Sequence, residues 1–200
     1  MLFRSAGGAL DKSWLLLQAW ARKKGFDIRK EAQVVFGAPQ LLAVKLEQGE
    51  LEASMNYWNL CAELEAKGFR RALEMAQVEH ELGAKGAVAM IGYAFEQGFA
   101  ARNGAALARY FAAANKAKEI LAAGPEEWTR ISARTGVSDP KALETLRKRY
   151  ADGMPRRSIE DEEADARALY KVLVDVGGAE LAGPARELPS GLYWRANAGG

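Results

Sequence analysis

The sequence predicts an α/β lobe with a mixed, mostly parallel sheet over its first half, followed by a largely helical C-terminal half. Three observations carry that prediction. Short apolar segments end at Gly7-Gly8, at Gly37 and near Asn56, and each leads into a helical pattern. The segment Gln33–Phe36 is apolar and β-branched, and a proline-led helix and another apolar segment follow it, the order of a βαβ unit with parallel strands. From Phe99 onward the apolar residues recur at intervals of three or four, the spacing of one helix face.

Element by element, Leu2-Phe3 reads as the end of a strand entering Gly7-Gly8. A helix begins at Asp11, with Trp14, Leu15, Leu17 and Ala21 on neighbouring faces, and Lys23-Lys24-Gly25 closes it. Asp11 and Ser13 are both suited to cap its start. The strand at 33–36 ends at Gly37-Ala-Pro39, and Pro39 opens a helix that runs to Gly49. Leu51–Trp58 reads as a strand, Leu60–Lys67 as a helix ending at Gly68, Ala72–Val78 as a further strand and Val88–Phe95 as a clearer one. Helices are then expected through Leu107, Phe111 and Leu121, from Pro125 to Ile131, from Pro140 to Tyr150, and from a Ser158 cap to Gly177-Gly178. The tail to Gly200 is rich in Gly, Pro and polar residues and is expected to fray.

Composition narrows the function. The chain has 200 residues, 49% hydrophobic and 27% charged, a length that suits one domain or two small lobes. Net charge is +2 with both signs interleaved, which gives no electrostatic footprint for nucleic acid or for an anionic membrane. The single cysteine, Cys61, excludes an internal disulfide and a cysteine-rich zinc site. No apolar run approaches the ~18 residues of a spanning helix. The N-terminus lacks the apolar core of a signal peptide.

Candidate residues cluster where the strands end: Gly7 to Trp14, Phe36-Gly37-Ala38, and Asn56 to Asn59. In open parallel sheets that edge binds ligands, and the helix N-termini beside it favour an anionic group. Gly7 and Gly8 either let a ligand approach the backbone or simply make a turn, and Asp11 and Ser13 either bind or cap. Trp58, between Tyr57 and Asn59, reads as an aromatic wall or as a half-buried core residue. Glu160–Asp165 is a dense acidic cluster whose members point in different directions around a helix, so its acids answer to the dipole and not to a metal. His80 and Cys61 lack any catalytic spacing, and GxSxG, Walker A and full GxGxxG motifs are absent from the sequence. No cofactor is implied, and no catalytic residue is assigned.

Three stretches carry a family resemblance: "AGGALDKSWLLLQAWARKKGFDI" from Ala6, "VVFGAPQLLAVKLEQGELEASMNYWN" from Val34, and "FAAANKAKEIL" from Phe111 with "EEW" ending at Trp128. In this order they resemble the substrate-binding proteins of ABC importers, in the nitrate/sulfonate/taurine branch, over about Arg4 to Trp194. The resemblance implies a periplasmic-binding-protein-like (type II) fold, two α/β lobes joined by two crossover strands with the ligand between them. It makes residues 1–97 the second lobe with its crossovers, at Gly7–Trp14 and near Met90–Phe95. Residues 98–200 become a helical segment that packs on the first lobe. It implies cleft residues Gly7, Gly8, Asp11, Lys12, Ser13, Trp14, Asn56, Trp58 and Asn59, to which the strand-end reading adds Phe36 and Gly37, holding a small anionic solute.

The function so implied is capture of that solute and delivery to an ABC permease, a binding role and not an enzymatic one, in the periplasm. Family members begin with a secretion signal and the first half of lobe one, which this sequence does not show. The chain is therefore expected to be a C-terminal fragment, and cytoplasmic if its start is genuine. Apolar faces around Phe111, Leu121 and Trp128 are then expected to lack their usual partner and to invite self-association. The alternative is a cytoplasmic ligand-sensing domain of a regulator with the same topology, which needs a helix-turn-helix that the sequence does not show. A thiamine-pyrimidine enzyme of similar fold would need a Cys/His cluster, and the chain has one of each.

Overall fold

Gly7 adopts a φ of 87°, a conformation open to glycine at no steric cost, and this lets the chain reverse sharply after its first strand. In the computed structural model, which describes residues 2–89 and 91–195, that strand is β1 (Leu2–Ala6) and the helix after the turn is α1 (Lys12–Lys23). Asp11 caps α1, its Oδ1 accepting from the Trp14 N–H at 3.1 Å. A short α2 (Ile28–Glu31) leads to β2 (Gln33–Gly37), α3 (Pro39–Glu47), β3 (Ala53–Met55) and α4 (Trp58–Ala66). The three strands form one parallel sheet in the order β2-β1-β3, with Ala6 opposite Gly37 and Ser5 opposite Met55.

Side chains alternate across that sheet. Phe3, Val34, Phe36, Ala53 and Met55 share the core with Trp14 and Leu15 of α1. Trp14 is fully buried, stacked on Phe3 at 5.8 Å and edge-on to Phe36 at 5.9 Å. α3 serves the opposite face: a Cβ on Gly37 would stand 3.0 Å from Cδ2 of Leu42, itself fully buried. The chain continues through α5 (Met75–Glu81), α6 (Gln97–Ala123), α7 (Pro125–Thr135), α8 (Pro140–Asp152) and α9 (Ile159–Ala182). α9 closes the first core with Leu169 and Leu173. A second core joins Ala62 and Ala66 of α4 to Trp128, Val137, Ala142 and Leu146. No helix among the described residues is long and apolar enough to cross a membrane.

Several expectations are corrected. Helices hold most of the described residues, and the sheet stops at three strands of five, five and three residues. The fold is therefore mostly helical, not an α/β type II lobe with a mixed sheet. The expected strand at 72–78 is α5, because Met75, Ala76, Gln77 and Glu79 are strong helix formers and Val78 reaches the core from a helix as well as from a strand. The expected strand at 88–95 has no strand partner among the described residues, and Met90, part of the expected second crossover, lies outside them. Carboxylates instead take up the N–H groups of the approach to it and of its first two residues. Asp165 accepts from Lys85 at 2.9 Å and Gly86 at 3.1 Å, Glu79 from Val88 at 3.2 Å and Glu162 from Ala89 at 3.2 Å.

The helical segment also finds its partners inside the chain. α9 packs on α1 and α8 on α4, so helices of the second half cover elements of the first. Trp128, expected to face an absent lobe, is 4% exposed, and its indole N–H donates to the Leu121 carbonyl at 2.6 Å. Phe111 packs among Tyr93, Phe95, Tyr110 and Trp194. Of the expected fraying tail, residues 196–200 lie outside the described ones.

Candidate functional site

The parallel register puts the C-terminal ends of β1, β2 and β3 at one edge, where α1, α3 and α4 begin. β1 is central, so the chain leaves it toward β2 and later returns across it to β3. The loops after β1 and β3 therefore flank the point where the strand order reverses, the location at which open parallel sheets hold ligands.

The sequence-predicted residues divide there. Gly7, Gly8, Gly37, Asn56, Trp58 and Asn59 sit at or beside this edge by their place in the chain. Asn56 ties two loops together, its Nδ2 donating to the Pro39 carbonyl at 2.8 Å while its Oδ1 accepts from the Tyr57 N–H at 2.9 Å. Tyr57 and Trp58 are exposed, and Trp58 touches Tyr150 of α8 with ring centroids 6.2 Å apart. An exposed aromatic pair beside a polar loop can supply a flat apolar wall.

The other predicted residues do different work. Trp14 and Phe36 are core, Gly37 makes room for Leu42, and Asp11 occupies the α1 N-terminus as a cap, with Gly7 against its carboxylate. A carboxylate already seated on those N–H groups repels an anion at α1. α3 and α4 differ: their N-cap residues, Ala38 and Tyr57, place no side-chain acceptor on the first-turn N–H groups. Ser13 makes no cap bond, that role falling to Asp11. Lys12 is directed inward, lining a cavity with Glu79 of α5, and burial depresses its pKa.

Sequence reasoning missed four acids that organise the molecule. Glu79 is 2% exposed, and burial raises its pKa. It lies four residues after Met75 and three before Leu82, so a carboxylate at a core position of a helical pattern was the readable signal. Asp165 is 4% exposed and ion-pairs with Arg157 at 2.7 Å while holding the 85–86 backbone. Glu162 holds Ala89, and Glu65 receives two arginines, Arg71 from the loop before α5 and Arg149 from α8. Cys61 donates to the Asn56 carbonyl at 3.5 Å, and burial pushes its thiol pKa up, which opposes a thiolate there. Among the described residues no group of three or more His, Cys, Asp or Glu is placed to hold a metal ion.

Compared with models of known protein families and with curated proteins, the chain matches none.

Proposed function

We propose that this chain is a solute-binding component of an importer. It takes a small anionic solute at the C-terminal edge of β1–β3 and passes it to an ABC permease on the periplasmic face of the membrane. One observation supports this above the rest: at the C-terminal edge of the parallel sheet, α4 beside the reversal of strand order and α3 after the outer strand β2 both begin without side-chain caps. Their first-turn N–H groups and positive dipole ends suit an anionic head group. Tyr57 and Trp58 offer the solute's body a flat surface. The reading needs the sheet edge alone and not a second lobe.

The test uses a competing carboxylate. Ala38→Asp and Tyr57→Asp each put an intramolecular anion where the solute's head group would lie. Asp at these N-caps adds about 1 kcal/mol of helix stability, so binding and stability should move in opposite directions. Calorimetric titration with nitrate and with alkyl and aromatic sulfonates should show one class binding to the unaltered chain and at least tenfold weaker binding to both variants. If no anion of the panel binds, or if both variants bind as the unaltered chain does, the reading is wrong.

A further inference from the structure

A partly open cavity of about 170 Å³ lies between α1, α5 and α9, bordered by the segments around Val88 and Tyr193. Its walls are mostly apolar, with Leu16 from α1 and Leu169 and Leu173 from α9, and two opposite charges, Lys12 and Glu79, also line it. Tyr170 and Tyr193 line it as well, and the Tyr170 hydroxyl already donates to the Ala185 carbonyl at 3.3 Å.

Glu79 is the unusual member. It is 2% exposed, and its Oε2 accepts from the Val88 N–H at 3.2 Å, yet among the described residues no group donates to Oε1. A buried carboxylate oxygen left without a donor loses its solvation and gains no bond in return, and the loss grows when it is charged. A fold keeps such a group where something else completes it. Burial raises the Glu79 pKa, and Glu162 nearby pushes in the same direction while Lys12 opposes it. A donor bearing positive charge on Oε1 would relieve both the missing bond and the repulsion.

A bare cation would meet Lys12 in the same low-dielectric space, and a bare anion would meet Glu79 and Glu162. A molecule with both charges meets an opposite partner at each end. A cavity of about 150 Å³ accommodates a benzene-sized body, so this one takes about six to eight non-hydrogen atoms. We propose that the cavity is a second binding site, separate from the sheet edge, that takes a short zwitterion. Its ammonium donates to Glu79 Oε1, its anionic end faces Lys12, and its methylenes lie on Leu16, Leu169 and Leu173.

Calorimetric titration of the full chain with 4-aminobutyrate and 5-aminopentanoate tests this against butylamine and butanoate, which carry one charge each. At least one amino acid binds, and both single-charge probes bind at least tenfold more weakly. Glu79→Gln keeps an acceptor for Val88 but loses the charge, and it weakens the amino acid at least tenfold. Ala166→Leu fills the cavity from its wall without touching a polar group and abolishes binding, which decides the matter if the Gln variant does not fold. Ala38→Asp, at the sheet edge, leaves amino-acid binding unchanged, so this site stands or falls separately from the proposed anion site. The proposal is overturned if neither amino acid binds at millimolar concentration, if butylamine or butanoate binds as tightly, or if binding survives filling of the cavity.

Discussion

Replacing Glu65 by Gln removes one charge from the junction between α4 and α8, and the structure sets the size of the effect. Arg149 of α8 grips the carboxylate with Nη2 at 2.6 Å and Nε at 2.8 Å, and Arg71 adds Nε at 3.0 Å and Nη2 at 3.3 Å. These bonds, Arg149 first, hold the Glu65 pKa at about 2 against an ordinary 4.5. At ~1.4 kcal/mol per pKa unit the shift corresponds to about 3 kcal/mol. Glu65 is 15% exposed, but the arginines are 19% and 31% exposed, so solvent screening brings this to about 2 kcal/mol.

The pKa is lowered in the folded state, so the stabilisation is complete above pH 4.5 and is lost as pH falls toward 2. Urea unfolding of the unaltered chain and of Glu65→Gln at pH 7 should differ by about 2 kcal/mol. At pH 3 the difference should fall to less than half, because the unfolded chain is then largely protonated at this position. Subtracting the variant cancels every other carboxylate. An equal difference at both pH values, or none at pH 7, would refute the reasoning that this ion pair fastens α8 to α4.

Asp165→Asn weakens a buried ion pair with Arg157 and two backbone bonds, and should cost about 3–5 kcal/mol in denaturant titration. The same change should accelerate hydrogen exchange at the Lys85 and Gly86 amides. Trp14→Ala should cost about 3–5 kcal/mol by the same titration, as for a large core side chain; a loss below about 1 kcal/mol would return Trp14 to the list of ligand residues. Gly37→Ala drives a methyl against Leu42, which is fully buried and has little room to yield, and should lower stability by about 1 kcal/mol in thermal unfolding.

The elements legible in the sequence are those whose signal is local. Asp11 before an apolar periodic run marked α1, Pro39 marked α3, and Ser158 marked α9, its Oγ accepting from the Asp161 N–H at 3.1 Å. The parallel pairing was legible because strand, helix and strand in close succession leave the strands pointing the same way. The errors came where partners far along the chain decide. Val88–Phe95 carries a strand's composition, but a strand needs a ladder, and acids from α5 and α9 bind its first N–H groups. Glu160–Asp165 was read through the helix dipole alone. Its members also reach outward: Glu162 and Asp165 to the 85–89 backbone, and Glu160 and Glu163 to Arg195 at 3.0 and 2.6 Å. The site was half legible for the same reason, since chain position places a residue at a strand end but not its side chain's direction.

Asp11 and Lys12 show what that difference does. They are consecutive, and successive helical positions point about 100° apart, so one turn of backbone serves two regions. Asp11 closes α1 at the sheet edge, and this leaves the first turns of α3 and α4 as that edge's anion-attracting ends. Lys12 turns into the interior beside Glu79 and Leu16, on the face that α5 and α9 cover. α9 is therefore more than a lid on an apolar surface. It buries Leu169 and Leu173 against α1, holds the 85–89 backbone with Glu162 and Asp165, and by doing both walls off the space around Glu79. The helical half supplies walls to a cavity that α1 and α5 begin, so α9 belongs to the proposed second site as much as α1 and α5 do.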